Sequence, residues 1–481
     1  MSIRVIRVLL AGCCLVCGLL AQGAAWAALP SGERWLAHVK QDLLPFWSGA
    51  AAMGKPVGNF PTFRCNDGSA FDAEAPCPEL KDAPAWIRPE LGRTYIRMQA
   101  RQTYAYGVAY HLTGDTRWLD LARAGARRTV ALLEPESGSP TWFEAGRGGP
   151  EPAARTAQDQ SYAVVGVAML YYLTRDPALE KALIAHQRYI FSRYWDADWG
   201  MLRWVPNEGP TDEAAKQELV AQLDQLNAYM LLVVPYLPAD VRAAWHADIR
   251  RVATALVSKF HDPVRGIFYG TLERGADSRR DGARHNDFGH TIKAYWMLML
   301  AGRELGDTEL ERLGRDGGAK IIERAWDAES GAWGSAWHGP EIDTSKSWWI
   351  YAELDQMTSF LALDRPELTS RLESSWRFWL TKMTAPNGGE IYGWVDPSGA
   401  APANSLRIHQ WKNGYHSFEH ALVSYLTAQA LAGKRATLHF ALGGDTTNLR
   451  PYLMPGKPVS VKSRGGLQTV EFEIPVQKPA H

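Results

Sequence analysis

An excess of charge of either sign is missing from this chain: 52 Lys and Arg face 52 Asp and Glu. That removes the electrostatic footprint of a nucleic-acid binder or of a polybasic membrane-surface protein. Cysteine is scarce too, five in 481 residues, and three of them (Cys13, Cys14, Cys17) lie close to the N-terminus. Only Cys65 and Cys77 remain, without a CxxC pair or a nearby His, so neither a structural zinc site nor a catalytic thiol is expected. Low-complexity tracts are absent, and the hydrophobic content of 46% excludes a disordered chain. Beyond the N-terminus no apolar run is long enough to span a bilayer.

What is present begins with a leader. Arg4 and Arg7 precede the uncharged run from Val8 to Ala21, which ends in Ala24-Ala25-Trp26-Ala27-Ala28. A charged start, a short apolar stretch and an Ala-x-Ala site read as a signal peptide over residues 1–27. A second reading, a lipoprotein site at Leu10-Ala11-Gly12-Cys13, would leave only a stub of that stretch. The mature chain is therefore expected in the periplasm or outside the cell. In that oxidising setting Cys65 and Cys77 are expected to form a disulfide, worth about 2–3 kcal/mol for so short a loop.

Helical runs then alternate with short polar turns. Leu112-Thr113-Gly114-Asp115, Leu173-Thr174-Arg175-Asp176, Leu237-Pro238-Ala239-Asp240, Leu305-Gly306-Asp307 and Leu363-Asp364-Arg365-Pro366 place an Asp every 57 to 67 residues. Each Asp or its neighbour can cap the helix that follows. A second turn type, Trp195-Asp196 to Gly200, His261-Asp262 to Gly266 and Trp326-Asp327 to Gly331, needs positive φ at its Gly. Counting runs gives about twelve helices between residues 33 and 432, two per repeat. That predicts a mainly α (α/α)6 toroid over 28–432. An open solenoid has a similar period, but six pairs with polar residues on alternate helices favour closure. Residues 433–481 switch to strand-like segments and predict a small C-terminal β appendage docked on the barrel, in which no chemistry is expected.

The polar residues on the inner helices are the candidate site. Arg101 lies in a Tyr- and Ala-rich helix, where a cation must meet either a carboxylate or a ligand. Asp224 and Asn227 share a helix face, as do His290 and Lys293. Trp348 and Trp349 precede Glu353 by about one turn, and Trp411 leads into His416, Glu419 and His420. His416 and His420 have metal-ligand spacing, yet a third ligand is missing, so no metal and no cofactor are expected. With 20 tryptophans in the chain, some beyond those the core needs could lie against sugar rings.

In order, Ala100-Arg101-Gln102, Asp159-Gln160-Ser161-Tyr162, Gly289-His290-x-Ile292, Trp348-Trp349-x-x-Ala352-Glu353 and Trp411-Lys412-x-x-Tyr415-His416 resemble the N-acylglucosamine 2-epimerase family. The resemblance covers most of 34–432. It implies an (α/α)6 barrel that epimerises or isomerises a reducing sugar or oligosaccharide. His290 and His416 would exchange the proton alpha to the carbonyl, and Arg101 would hold the enediolate oxygen. Asp224, Asn227, Lys293, Trp348, Trp349, Glu353, Trp411 and Glu419 would bind the sugar. There are three departures from the family pattern: Asp224 and Asn227 replace a His-x-x-Glu pair, Lys293 replaces Glu, and Glu419 replaces Arg. Lys293 and Glu419 could be a swapped ion pair. A glycoside hydrolase or polysaccharide lyase using Asp224, Glu353 and Glu419 is the alternative, and a non-catalytic glycan-binding protein is a third. The partner is then a mono- or oligosaccharide, with no nucleic acid and no membrane span in the mature chain, as monomer or homodimer.

Overall fold

The computed structural model describes residues 29–206, 208–273, 287–444 and 446–477. The leader therefore lies outside the described residues. Among them the long helical stretches are α1 (32–47), α2 (Ile96–Thr113), α3 (Thr116–Val130), α4 (157–174), α5 (Pro177–Tyr194) and α6 (219–236). These are followed by α7 (239–260), α8 (Phe288–Leu305), α9 (Thr308–Ala325), α10 (Trp348–Ala362), α11 (366–383) and α12 (Tyr415–Leu431). The even-numbered helices are buried over almost their whole length, and the odd-numbered ones alternate buried and exposed positions. Inner helices are therefore enclosed on every side, with polar side chains that pair with one another or line the cavity, and outer ones are buried only along a stripe.

Each inner helix packs on the next, α2 on α4, α4 on α6, α6 on α8, α8 on α10, α10 on α12, and α12 returns to α2. The toroid is closed. Its outer layer is staggered relative to the reading from sequence, because α1 packs against α12 at the other end of the chain. Five hairpins are local in sequence, and the sixth joins the first helix to the last.

The turns follow their residues. Asp115, Asp176 and Asp307 cap α3, α5 and α9 through backbone N–H groups. The other two aspartates do not: Pro238 takes the cap position before α7, and Asp364 turns to Arg315. Gly200, Gly266 and Gly331 have φ of +64°, +66° and +62°, closing two-residue antiparallel ladders at the ends of α5, α7 and α9.

The tail forms an antiparallel sheet of β1 (Ala436–Phe440), β2 (Lys457–Arg464) and β3 (Leu467–Glu473), with β3 in the centre. It docks by real packing: Leu438, Phe440, Val470 and Phe472 are sealed in the same core as the helices. Between β1 and β2, Tyr452 takes a φ of +59° and is inserted into the barrel. Cys65 and Cys77 form a disulfide. No described helix is long and apolar enough to cross a membrane.

Candidate active site

All six inner helices begin at the same end of the barrel, and their first two turns supply the functional side chains. Arg101 comes from α2, Gln158 and Tyr162 from α4, Asp224 from α6, His290 and Lys293 from α8, Trp348 and Trp349 from α10, and His416 from α12. Together with Trp411 they line a cavity of about 250 Å³. The positive ends of six helix dipoles surround this space, a setting that favours negative charge.

Local sequence fixes both histidines. Asp287 caps α8 by accepting from the His290 backbone N–H at 2.8 Å, and its second oxygen lies 2.9 Å from His290 Nδ1. One carboxylate thus ends the loop and orients the ring. Gly289 is required beside it, because a Cβ there would lie 2.5 Å from the Trp349 ring. Trp349 makes edge contact with His290 at 4.5 Å between centroids, and its ring lies 6.3 Å from that of His416. The two histidines therefore flank one indole. His416 stands in the first turn of α12, where the Asn413 side chain accepts from Tyr415 N–H. Burial, then the charges of Arg101 and Lys293, hold the pKa of His416 well below the usual imidazole range. Its ring is neutral at neutral pH.

Arg101 meets no carboxylate within ion-pair distance among the described residues. It donates to the Trp411 carbonyl at 2.9 Å and lies over the Tyr162 ring at 4.0 Å, while its buried Nε has no partner. The internal ion pair, one of the two readings of this cation, is therefore not formed among the described residues. One turn earlier, Arg97 pairs with Asp159 at 2.6 Å and donates to the Gln410 carbonyl at 2.8 Å.

Beneath the histidines is a charged floor. Lys293 Nζ contacts Asp224 Oδ1 at 2.8 Å and Tyr162 Oη at 3.1 Å. Gln158 and Tyr162 also donate to Asp224, at 2.8 and 3.1 Å. Burial opposes both charges, but the pairing overrides it: the Lys293 pKa is raised and that of Asp224 lowered. Lys293 is therefore paired across to α6, not with Glu419 as the sequence suggested.

Three of the expected sugar-binding residues do not line the cavity. Asn227 is half-buried and donates to Tyr415 Oη at 3.4 Å. Glu353 is buried below His416, accepts from Trp296 Nε1 at 2.7 Å, and leaves Oε1 at 3.7 Å from His416 Nδ1. Glu419 accepts from the Tyr452 hydroxyl at 2.6 Å, and Tyr452 in turn accepts from Tyr104 at 2.8 Å. The tail, expected to be inert, closes the floor with that hydroxyl. Burial pushes Glu353 up to about 8, with the nearby Glu419 adding to it, and raises Glu419 as well. His420, which shared metal-ligand spacing with His416, instead points into the helical wall and meets Asp355 at 2.8 Å. Gln158 and Tyr452 were not singled out from sequence; a glutamine on a helix and a tyrosine in a tail carry no signal of their own.

A closed (α/α)6 toroid with aromatic walls, two imidazoles flanking one indole and an arginine lining the same small cavity defines a class of carbohydrate-active barrel. The family model for N-acylglucosamine 2-epimerase (GlcNAc 2-epimerase) matches residues 87–419, and the chain belongs to that family of sugar epimerases and isomerases. A cellobiose 2-epimerase of Eubacterium cellulosolvens is 21% identical over 350 residues, 66% of this chain and 84% of that protein. The fold is similar to that of the cellobiose 2-epimerase from Spirochaeta thermophila (TM-score 0.66, 18% identity, 83% and 97% of the two chains). It is similar to a D-mannose isomerase as well (TM-score 0.66, 14% identity, 83% and 99%).

Proposed function

We propose that this protein is an exported epimerase or isomerase of a reducing sugar, working by proton transfer between His416 and His290. The observation that carries the reading is the pair of imidazoles flanking Trp349 in the cavity that Arg101 also lines. In the opened sugar the C2–H is acidified by the C1 carbonyl. Neutral His416 takes that proton as the C–H pair moves into the C1–C2 bond and negative charge collects on O1. Arg101 and the helix N-termini stabilise that oxygen. His290, oriented by Asp287, delivers a proton to the other face of C2, giving the 2-epimer; delivery to C1 instead, with the O2 proton passing to O1 as C2=O2 forms, gives the ketose. Histidine suits both roles because it exchanges protons near neutral pH.

Export is supported by the leader-like residues 1–27 and by the Cys65–Cys77 bond, a type that persists in oxidising compartments. The reaction is tested by incubating the mature protein with reducing mono- and disaccharides in deuterated water and following the C2 proton by NMR. Deuterium at C2 is expected. Glycosidic cleavage without exchange would establish hydrolysis in its place.

A further inference from the structure

The cavity has an annex. Among the described residues the exposed large apolar side chains are five valines and three tryptophans, and the tryptophans, Trp86, Trp394 and Trp411, all line one groove. Exposed apolar residues scattered singly need no explanation, but three indoles in one place do. The groove has a volume of about 570 Å³ and shares Trp348 and Trp411 with the site cavity. The two spaces are thus contiguous along an aromatic wall. His409 links that wall, in edge contact with Trp86 at 5.2 Å and with Trp348 at 6.1 Å. Asp82, Asn404 and Ser405 add polar groups to the lining.

The indoles are held in place. Trp394 pairs opposite Ser347, the residue before Trp348, in a two-residue ladder. Trp411 lies under Arg97 at 3.6 Å, and Arg97 and Arg101 hold the carbonyls of Gln410 and Trp411. Trp86 is flanked by Ile87, which belongs to a small separate core with Phe63, Cys65, Leu80 and Leu406. Asn66, next to the disulfide, donates to the Ser405 carbonyl at 3.0 Å and accepts from Arg407 N–H at 3.0 Å. The bridge between Cys65 and Cys77 therefore braces the far side of the groove.

We propose that this groove binds the outer units of an oligosaccharide whose reducing end occupies the cavity, so that the substrate is a chain of three or more sugars. The proposal rests on the epimerase reading of the cavity. Flat indole faces with a few polar neighbours match sugar rings, which present apolar faces and hydroxyl edges. The site cavity alone, at about 250 Å³, falls below the roughly 300–1,000 Å³ of ordinary ligand pockets, whereas with the groove it falls within that range.

The test uses two length ladders, glucose to cellopentaose and mannose to mannopentaose, with the wild type, Trp86→Ala, Trp394→Ala and the double variant. In deuterium exchange at C2, kcat/KM is expected to rise with length for one ladder, and the double variant to lower the long-to-short ratio roughly tenfold. The Trp→Phe double variant, which keeps ring faces, is expected to recover part of it. Binding of the tetraoses to His416→Asn, with and without the two Ala substitutions, is measured by calorimetry as a readout independent of turnover. Exchange that is flat with length overturns the groove and leaves the reaction standing. Tetraose binding weakened by the Ala substitutions, with no exchange on any sugar, overturns the reaction and leaves the groove standing. Neither length-dependent exchange nor tetraose binding, or a change of sedimentation behaviour instead, overturns the groove as a glycan site.

Discussion

The upper and lower halves of the cavity are built on opposite principles. Above, His416 makes no side-chain hydrogen bond to the described residues, and Arg101 leaves a buried Nε unpaired. Below, Lys293, Asp224, Gln158 and Tyr162 form a closed network, and Glu419 is tied to Tyr452, with the Glu353 Oε1 as the exception that has no hydrogen-bond partner. A buried polar group without a partner costs stability, so it survives where something else supplies the partner, here a substrate. The satisfied floor contributes fixed charge and shape. The difference separates groups that react from groups that set the field around them.

The largest effect is expected above. His416→Asn and His290→Asn should each lower C2 exchange by at least about a thousandfold while leaving thermal unfolding little changed. Either variant with near-wild-type exchange removes that histidine from the proton transfer. The next effect lies below and has the opposite profile. Lys293→Met strands the Asp224 carboxylate and should cost roughly 3–5 kcal/mol of stability in denaturant unfolding, and adding Asp224→Asn should recover much of it. A single variant as stable as the wild type would show that the floor is not a closed network.

The smallest concerns Glu353, whose pKa is raised to about 8 from an ordinary 4.5. Between these values the folded protein binds a proton that the unfolded chain does not, so this group's contribution to stability falls as pH rises from about 5 to 8. Glu353→Gln, which cannot ionise, should remove that slope and gain on the wild type progressively as pH rises toward 8. Parallel stability–pH curves for the two proteins would place a lasting charge on Glu353 at neutral pH.

Much of this was legible in the sequence. The period of the turns gave the helix pairs, since apolar stripes and capping aspartates are local signals. Arg101, Asp224, His290, Lys293, Trp348, Trp349, Trp411 and His416 do converge on one cavity. Depth was not legible. Helix spacing puts Glu353 about a turn after Trp349 and Glu419 about a turn after His416, but does not tell how deep the cavity reaches, and so not that both carboxyls lie outside its lining. Partnership across helices was hidden for the same reason: Lys293 and Asp224 are 69 residues apart and meet only because α6 and α8 are neighbours. Tyr452 was invisible because its role depends on where a turn of the tail docks, not on any pattern around it.

The pairing of α1 with α12 has a consequence for how the molecule comes into being. Five of the helix pairs can form as soon as their two helices exist, because their contacts are short in sequence. The wall between α12 and its outer partner joins segments separated by nearly the whole chain, a contact whose loop-closure entropy is met last. A ribosome that has delivered α1 through α11 has delivered an open crescent with one bare flank. His416 belongs to the final helix, so the ring becomes round and the pair of imidazoles complete in the same event.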